Sequence, residues 1–581
     1  MDGAGPPATL VGQARLLAQT IGDRPAYTFV DYLADPQGAA HSLTWHEVDV
    51  RARALATALR GQVLAGERAA VLVPPGLDYV VAMLGAFYAR VVAIPLFTPD
   101  LPGHSGRLLH ILAEADPACV LTTRAGAASV EALLAEGAAK PRHIMIVDAV
   151  PARLAGGWRD EKIEPADLAY LQYTSGSTRM PAGVMITHGC LAANAAQIIA
   201  GLEIEAHKST AVGWLPLFHD MGFVMTVAMP IAAAGHAAFM DPVAFLMRPA
   251  RWLQLASRHA NVFTAGPNFA YDYCVNRVSD EDKAGLDLSG VRAFINGAEP
   301  VRPATLRRFA DAFAGHGLDP RALTPAYGLA EATLYVAGAG GRRPPRTVAL
   351  DRAALQRGQA VVSDGPGALA MVSCGTPAGQ HVAIVDPQTA TACPPGRIGE
   401  IWVNGPNVSP GYFRDTSADP GDPVDGSPGT FGAVLAAAPD GLPRGGWLRT
   451  GDSGVFHDGE LLVTGRLKDL IIIDGRNHYP QDVEATAQDA HPAIRRDRVA
   501  AFAAPGEDGE RLVVVAERSR DATQADAAEV TRSVRAAVSA QHGASLRDFL
   551  LVGPGELPRT SSGKIARSAC LERYLAGSFA V

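Results

Sequence analysis

The chain is predicted to be an α/β protein: a large N-terminal domain of layered, mostly parallel sheets with helices, followed by a small α+β domain. Between about residues 68 and 148, short apolar runs such as "AAVLVPP", "VVAIPL" and "ACVLTT" alternate with helical patterns such as "LDYVVAMLGAFYAR". Strands that are apolar throughout and separated by helices indicate a parallel sheet covered on both faces. After about Asp469, a shorter mixture of strands and one helix indicates a separate unit.

The elements that follow continue this α/β pattern. A helix is predicted from about His188, because apolar residues recur there at helical spacing. These residues are Leu191, Ala195, Ile198, Ile199 and Leu202. Three more strands are expected in "TAVGWLP", "NVFTAG" and "VRAFING".

The sequence changes character after about Gly338, where glycine and proline become frequent. Residues from about 338 to 373 read as an insertion or long loop with one short helical piece. Residues from about 374 to 467 contain alternating strands such as "HVAIVD" and "GEIWVNG", which predict a small β subdomain. We therefore expect an N-terminal domain over 1–467 and a C-terminal α+β domain over 468–581, with a helix around Ala525 to His542.

Length and composition narrow the class of protein. A chain of 581 residues is too long for one core, and about 150 residues per domain predicts roughly three to four compact units. Hydrophobic residues at 48% and charged residues at 19% are typical of a folded protein. The formal net charge of -8 argues against nucleic acid as a partner, because phosphate backbones require a basic face.

Cysteine usage and hydropathy predict a cytoplasmic protein without a membrane span. The six cysteines are scattered and form no C-x-x-C pair, which fits a reducing compartment and offers neither a zinc site nor a disulfide framework. The N-terminal residues show no basic region followed by an apolar run, so no signal peptide is expected. The apolar stretches Tyr79–Ala89 and Val224–Met240 fall short of the roughly 20 uninterrupted residues that a span requires.

The segment "LQYTSGSTRMPAGVMITH" points to phosphate chemistry. A strand ends at Tyr173 and is followed by small hydroxyl residues and a glycine, a composition that suits the binding of phosphate oxygens. It is not the common nucleoside-triphosphate loop, because no Gly-Lys-Ser/Thr follows Gly176 at the required offset. A polar turn before a helix is the alternative reading.

Five segments together indicate a family. They are Thr174–Thr178, "WLPLFHDMG", "NGAEP" with "PAYGLAEATL", "LRTGD" with "TGRLKD", and "PRTSSGKIAR" near the C-terminus. In this order they resemble the adenylate-forming superfamily of acyl-CoA synthetases, peptide-synthetase adenylation domains and luciferases. "TAGPNFAYD", "YGLAEATLYV", the insertion and "GRLKDLIIIDGRNHYPQDVE" are similar to a fatty acyl-AMP ligase, from about Leu43 to Arg567.

The resemblance implies an ATP site. The β- and γ-phosphates would lie among the hydroxyl and backbone N–H groups of the first segment: Thr174, Ser175, Gly176, Ser177 and Thr178. The superfamily usually has glycine where Arg179 stands and lysine where Ala182 stands, so Arg179 becomes the candidate for the missing charge. The resemblance places Gly297, Ala298 and Glu299 along the adenine, with the Tyr327 ring stacked on it. Four neighbouring residues are implied to belong to the same nucleotide site: Asn296, Ala326, Gly328 and Ala330.

Charged residues complete the implied reaction centre. Asp452 would accept both ribose hydroxyls, because an ionised carboxylate takes two hydrogen bonds, and Arg466 would reinforce it. Glu331 would hold Mg²⁺, a hard ion that prefers carboxylate oxygens. Lys564 would bridge the substrate carboxylate and the α-phosphate, and Lys468 would lie in the hinge between the domains. Taken singly, each could be an ordinary turn, helix-start or surface residue.

The acyl pocket is expected near "LFHDMG". His219 is assigned to the catalytic centre as a pocket residue rather than a general base, since the attacking carboxylate has no proton to lose. The candidates for the pocket wall are His219, Met221, Gly222, Phe223, Phe263, Phe269 and Tyr271, and the aromatic ones could equally be core. Each buried methylene contributes ~0.8 kcal/mol, which favours medium or long chains.

The resemblance implies adenylation of a fatty acid with ATP and Mg²⁺, followed by transfer to a phosphopantetheine thiol. The thiol would belong to an acyl carrier protein or to a carrier domain of a polyketide or nonribosomal peptide synthase. In fatty acyl-AMP ligases, an insertion like that at 338–373 is thought to restrict the swing of the small domain. A fatty acyl-CoA synthetase is the alternative within the enzyme class. A catalytically silent nucleotide- or lipid-binding module is the alternative outside it, and the presence of Glu331, Asp452 and Lys564 argues against that reading.

Overall fold

The structure, a computed structural model, describes residues 8–101, 104–174, 182–413, 429–473, 475–506, 509–520, 522, 526–559 and 564–579. The helices are α1 (Leu10–Thr20), α2 (Trp45–Arg60), α3 (Leu77–Tyr88), α4 (Ser105–Ala115), α5 (Ala127–Glu136), α6 (His188–Gly201), α7 (Asp220–Phe223), α8 (Met229–Ala232), α9 (Pro242–Met247), α10 (Ala250–Ser257), α11 (Asn268–Arg277), α12 (Asp280–Lys283), α13 (Pro303–Phe313), α14 (Arg352–Gln356), α15 (Pro480–Asp489), α16 (Ala527–His542) and α17 (Arg567–Leu575).

The strands are β1 (Pro25–Asp31), β2 (Ala39–Thr44), β3 (Arg68–Val71), β4 (Val92–Pro95), β5 (Cys119–Thr122), β6 (His143–Ile146), β7 (Leu168–Tyr173), β8 (Gly183–Thr187), β9 (Thr210–Gly213), β10 (His236–Met240), β11 (Val262–Pro267), β12 (Val291–Gly297), β13 (Leu323–Gly328), β14 (Tyr335–Gly338), β15 (Thr347–Leu350), β16 (Leu369–Val372), β17 (Thr376–Pro377), β18 (His381–Asp386), β19 (Thr391–Ala392), β20 (Gly399–Asn404), β21 (Leu448–His457), β22 (Glu460–Arg466), β23 (Ile471–Ile473), β24 (Arg476–His478), β25 (Ile494–Gly506), β26 (Gly509–Arg518) and β27 (Leu546–Val552).

Two mixed, mostly parallel sheets form the larger part of the chain. One has the order β6-β5-β3-β4-β7-β8 and the other β17-β14-β13-β12-β11-β9-β10-β1-β2. Strands β3, β4, β5, β6 and β7 pair in parallel, as do β1, β9, β10, β11, β12 and β13. The predicted α/β class is therefore confirmed.

Helix α3 lies inside the core that both large sheets share. All residues from Tyr79 to Tyr88 are buried, and the same apolar cluster contains side chains of both sheets, such as Val71 and Val212. A helix that is apolar on all sides needs partners on all sides, and here the two sheets provide them.

The C-terminal residues form a small α+β unit. Strands β25, β26 and β27 make a three-stranded sheet. Side chains of α15 and α16, such as Val483 and Val534, pack in the core of one face, and Cys570 of α17 packs in a second cluster with Phe502. Upstream, a five-stranded antiparallel sheet of order β19-β18-β20-β21-β22 occupies the range in which the sequence predicts a small β subdomain.

The region from 338 to 373 is more ordered than its glycine- and proline-rich sequence suggests. It contains an antiparallel pair, β15 with β16, besides the short helix α14. Three of its residues contact the C-terminal unit: Arg352 pairs with Asp482, Gln356 Nε2 donates to the carbonyl of His542 at 3.0 Å, and the carbonyl of Leu355 accepts from Tyr479. We call this contact the insertion seam.

The membrane expectation agrees with the described helices. None of the helices in the described ranges combines the length and apolar character needed to cross a bilayer. The buried π-helix at Val224–Ala228, which lies in one of the apolar stretches considered above, continues directly from α7 into α8.

Candidate active site

A cavity of about 2100 Å³ lies where the C-terminal unit meets the large sheets. Strands β7, β11, β12 and β13 end at it, and in α/β folds ligands bind at the carboxyl ends of parallel strands. Most of the predicted site residues line it: Thr174, His219, Met221, Phe269, Gly297, Ala298, Glu299, Ala326, Tyr327, Gly328, Ala330, Glu331, Asp452, Arg466, Lys468 and Lys564. Thr174 and Lys564, which are 390 positions apart in the chain, thus line the same cleft.

Asp452 is held by groups from two directions. Tyr327 donates its hydroxyl to Asp452 Oδ2 at 2.7 Å, and Arg466 Nε lies 3.4 Å from Asp452 Oδ1. Asp452 and Arg466 are direct neighbours across the β21–β22 ladder, which fixes this pair. Burial raises the pKa of Asp452, and the Arg466 guanidinium partly offsets that shift. The carboxylate is positioned to accept hydrogen bonds from a diol.

Glu331 lines the cavity from a short 3₁₀ turn at Ala330–Ala332. Tyr412 donates its hydroxyl to Glu331 Oε1 at 2.8 Å. Glu331 stays partly accessible through the cavity but lies deep in the protein, and burial raises its pKa. A carboxylate that is poorly solvated and held at one oxygen fits Mg²⁺, which takes one or two carboxylates together with phosphates and water.

The strip from Gly297 to Glu299 has a strained backbone. Ala298 adopts a φ of 64°, in the left-handed region that costs a non-glycine residue of order 1–3 kcal/mol. Glu299 Oε1 accepts the backbone N–H of Phe269 at 2.7 Å, which ties the strip to the start of α11. Opposite it, a Cβ on Gly328 would come 1.7 Å from the carbonyl of Leu334, so only glycine fits there.

Lys564 reaches the reaction centre from the C-terminal unit. It lines the cavity, and its pKa is lowered by burial and raised by the nearby charge of Asp220, with smaller contributions from Arg466, Glu299 and Asp452. Burial lowers the pKa of this cation and raises that of the carboxylates Glu299, Glu331 and Asp452. Ionisable groups with pKa values shifted by burial, gathered in one cleft, are typical of functional sites.

His219 and Asp220 form a contact pair at the start of α7. His219 Nδ1 lies 2.5 Å from Asp220 Oδ1, and the backbone N–H of Met221 donates to the same oxygen. Burial alone would raise the pKa of Asp220, but His219 brings the net shift below the usual range. The His219 ring is thereby oriented at the cavity wall.

Of the residues in the predicted phosphate loop, the structure describes only Thr174. Thr174 lines the cavity, and its carbonyl accepts a hydrogen bond from Arg107 Nη2 at 2.7 Å. The predicted residues Ser175, Gly176, Ser177, Thr178 and Arg179 lie outside the described residues. Arg107 also lines the cavity and places a cation at the described edge of this loop.

Several predicted pocket residues belong to the packed core instead. Phe223, Phe263 and Tyr271 are at most 3% exposed, and none of them is part of the described cavity wall. Tyr271 packs against Phe294 and Phe309 and donates its hydroxyl to the carbonyl of Ile295. An aromatic side chain gains from burial in a core as much as in a pocket, which is why sequence alone misplaced them.

Two further predicted residues support the wall from behind. Gly222 is buried, and a Cβ there would come 2.0 Å from the carbonyl of Pro216. Asn296 is fully buried at the end of β12, where its Nδ2 lies 3.4 Å from Asn268 Oδ1. Both stand behind the cavity wall and not in it. The apolar part of the wall that the sequence missed includes Ile198, Leu202, Trp214, Met225 and Leu246.

Three polar residues of the site escaped sequence reasoning. Tyr412 and Arg107 stand in no motif considered above, and Asp220 was seen only as part of "LFHDMG". The one signal for Tyr412 was its position after Pro410-Gly411, because loops disproportionately carry binding and catalytic residues. Nothing marked Arg107 in the sequence.

Comparison with known proteins decides the family. The model of the AMP-binding enzyme family matches residues 15–413, and that of the "Disco-interacting protein 2-like, AMP domain" matches 468–581. The chain belongs to the AMP-binding enzyme family. It is 41% identical to the long-chain-fatty-acid–AMP ligase FadD32 of Mycolicibacterium smegmatis, over 98% of this chain and 95% of that protein.

Two further proteins, one known from its sequence and one from a crystal structure, are also similar to this chain. The putative fatty-acid–CoA ligase fadD25 of Mycobacterium tuberculosis is 41% identical over 98% of both chains. The crystal structure of a fatty acyl-adenylate ligase from L. pneumophila, solved with acyl adenylate and pyrophosphate, has a TM-score of 0.74 and 32% identity, covering 98% of this chain and 96% of that one. The predicted membership in the adenylate-forming superfamily and the similarity to fatty acyl-AMP ligases are confirmed.

Proposed function

We propose that the protein activates a medium- or long-chain fatty acid with ATP and Mg²⁺ to an acyl-adenylate, and then transfers the acyl group to the phosphopantetheine thiol of an acyl carrier protein. The observation that carries the proposal is the single cavity in which Glu331, Asp452 and Lys564 meet, in a chain similar to fatty-acid–AMP ligases along nearly its whole length.

In the first half-reaction a carboxylate oxygen of the fatty acid attacks the α-phosphorus of ATP. The bond between that phosphorus and the bridging oxygen to the β-phosphate breaks, and pyrophosphate leaves. Both reactants are anions, so the protein contributes mainly positioning and charge neutralisation. Asp452 would hold the ribose, the strip at Gly297–Glu299 would lie along the adenine, and the Lys564 ammonium would lie between carboxylate and α-phosphate.

Glu331 would hold Mg²⁺, which when bound neutralises charge on the phosphate oxygens. Tyr412 holds the Glu331 carboxylate by a hydrogen bond to Oε1. The acyl chain would lie along the apolar wall, which includes Ile198, Leu202 and Met225. Such a wall rewards each methylene that it removes from water.

In the second half-reaction the thiol sulfur attacks the acyl carbon, the bond from that carbon to the phosphate oxygen breaks, AMP leaves, and the thiol proton passes to solvent. The insertion seam supports a carrier protein over coenzyme A. Because Arg352, Gln356 and Leu355 contact the C-terminal unit, a large rotation of that unit would have to break these contacts.

A fatty acyl-CoA synthetase is the second candidate, since the relative with that putative activity is equally similar in sequence. Incubation with ATP, Mg²⁺ and laurate, followed by product identification, tests the proposal. Acyl-AMP and pyrophosphate should form without any thiol, and acyl-carrier should form on adding a holo-acyl carrier protein. Abundant lauroyl-CoA on adding coenzyme A would favour the second candidate, and no acid-dependent pyrophosphate release would reject both.

A further inference from the structure

Four arginines of the C-terminal unit lie near one another at or beside the cleft, and the proposed adenylation step uses none of them. Arg495, Arg496 and Arg498 belong to the start of β25, and Arg559 belongs to the segment before Lys564. Arg496, Arg498 and Arg559 line the same cavity as the reaction centre. We call these four residues the arginine cluster.

The carboxylates around the arginine cluster do not balance it. Arg495 pairs with Glu517 at 2.8 Å, and Arg498 reaches that same carboxylate at 3.9 Å. Asp497 is already paired with Arg302 at 2.8 Å. In the parts of the chain that the structure describes, Arg496 and Arg559 lie within ion-pairing distance of no carboxylate. Two of the four guanidinium groups therefore share one carboxylate, and the other two have none within ion-pairing distance among the described residues.

The shortage of counter-charge has an electrostatic consequence. Burial lowers the pKa of Arg498, the nearby charges of Arg559 and Arg495 lower it further, and the smaller effects of Glu517 and Asp497 raise it. Like charges held together at the wall of a cleft repel one another, and an anion entering that cleft relieves the repulsion. The whole chain carries a formal net charge of -8, so this local excess of positive charge opposes the overall balance.

The position of the cluster relates it to Lys564. Arg559 pairs through its backbone with Ile565, the residue after Lys564. An anion bound by Arg559 would therefore be linked through this backbone pairing to the lysine that serves the first half-reaction. Guanidinium groups suit phosphate because their planar forks donate two parallel hydrogen bonds to it.

We propose that the arginine cluster binds the phosphodiester of the phosphopantetheine arm that an acyl carrier protein presents to the acyl-adenylate. The inference rests on the proposed function, because it concerns the thiol substrate of the second half-reaction. Coenzyme A carries the same phosphopantetheine phosphate, so the thiol arms of the experiment separate the two sources.

The test measures transfer from preformed lauroyl-AMP to four thiols: pantetheine, 4′-phosphopantetheine, coenzyme A, and a holo-acyl carrier protein of fatty-acid synthesis. The variants are Arg496→Gln, Arg559→Gln and the double variant. The matched control is Arg532→Gln, because the Arg532 side chain is 71% exposed on α16 of the same unit. Adenylation without thiol is recorded for each variant, so that an effect on the first half-reaction is seen separately.

The wild type should transfer to 4′-phosphopantetheine with a lower KM than to pantetheine. Each substitution should raise the KM for 4′-phosphopantetheine and for the holo-carrier by ~10-fold, the loss expected for one charge-assisted hydrogen bond. The KM for pantetheine, the rate of adenylation and the behaviour of Arg532→Gln should stay unchanged. If Arg559→Gln also slows adenylation, its effect on transfer is not specific, and the KM values of Arg496→Gln then decide whether the cluster binds the phosphate.

Three results would overturn the inference. One is an equal KM for pantetheine and 4′-phosphopantetheine in the wild type. Another is an unchanged KM for 4′-phosphopantetheine in the double variant. The third is an effect on coenzyme A alone, with the holo-carrier unaffected. Isothermal titration calorimetry tests the inference without catalysis, because 4′-phosphopantetheine should bind the wild type more tightly than the double variant. Failure to form lauroyl-AMP from laurate and ATP would instead reject the proposed function.

Discussion

The C-terminal unit meets the rest of the chain at two places that are built differently. At the reaction centre, charged groups such as Lys564, Glu299 and Asp452 line a cavity of about 2100 Å³. At the insertion seam, Arg352 touches Asp482 directly, and the cavity beside them measures only about 10 Å³. The first interface has room for substrates, whereas the second is closed. The difference suggests that one is made to be filled and emptied, while the other holds the unit in place.

The largest effect is expected when the closed seam is broken. Arg352→Leu leaves the buried Asp482 without its ion-pair partner, and removing one partner of such a pair costs ~3–5 kcal/mol. The free energy of unfolding, from denaturant titration, should fall accordingly. Arg346→Leu is the control from the same region, because Arg346 pairs with the exposed Asp458. Equal stability of the two variants would show that the seam does not hold the unit.

Removing the charge at the open interface should affect rate rather than stability. Lys564→Ala should slow acyl-adenylate formation by ~10²–10³, the cost of losing one preorganised charge-stabilising group. Single-turnover release of pyrophosphate measures it. Lys162→Ala is the control, since the Lys162 side chain is 81% exposed. Full-speed adenylation by Lys564→Ala would contradict the assigned role.

A smaller effect is expected where a neutral group positions a charged one. Tyr412→Phe removes the hydrogen bond to Glu331 but keeps the ring that packs on Phe431. The Mg²⁺ concentration for half-maximal adenylation should rise ~10-fold, with recovery at saturating Mg²⁺. Direct binding of Mn²⁺ with ATP, followed by electron paramagnetic resonance, should weaken in parallel. An unchanged Mg²⁺ dependence would show that the Tyr412 hydroxyl does not position Glu331 for Mg²⁺, and that the side chain serves only in packing.

One neutral hydrogen bond at the seam gives the smallest change in stability. Gln356→Ala removes the bond to the His542 carbonyl and should lower the free energy of unfolding by ~1 kcal/mol. Gln388→Ala, in the exposed turn after β18, is a suitable control. A loss as large as that of Arg352→Leu would mean that the seam acts through hydrogen bonding instead of charge.

The pH dependence of the open interface sharpens the comparison. Burial lowers the pKa of Lys564 from its ordinary value, and catalysis is assigned to the protonated form. Activity should therefore fall as pH rises through that lowered pKa, at a lower pH than for an exposed lysine. The alkaline limb of kcat/KM reports this group in the free enzyme. A limb at the ordinary lysine value would contradict the burial argument.

Charged residues in the motifs could be placed from sequence, whereas apolar ones could be placed only in part, since Met221 and Phe269 line the cavity and other predicted aromatic residues do not. Asp452, Glu331 and Lys564 all line the cavity that the motifs imply. Phe223, a core residue instead, was indistinguishable from a pocket residue, because burial in either place satisfies the same hydrophobic preference. The strand pair β15–β16 was missed because a sequence rich in glycine and proline resembles a loop.

Contacts between distant segments were the other limit of sequence reasoning. Tyr412 and Glu331 are 81 positions apart, and only the fold brings the hydroxyl to the carboxylate. The same applies to Arg352 and Asp482, which are 130 positions apart. A motif describes residues that are close in the chain, whereas each of these contacts depends on how whole sheets pack.

The left-handed backbone of Ala298 has a consequence for protein engineering. Glycine relieves a strain of order 1–3 kcal/mol, more than the ~0.4–1 kcal/mol that its greater freedom in the unfolded chain costs. Ala298→Gly should therefore raise the melting temperature while letting the backbone that is proposed to lie along the adenine sample more positions. Removal of this one methyl group would then raise the melting temperature and lower the affinity for adenosine.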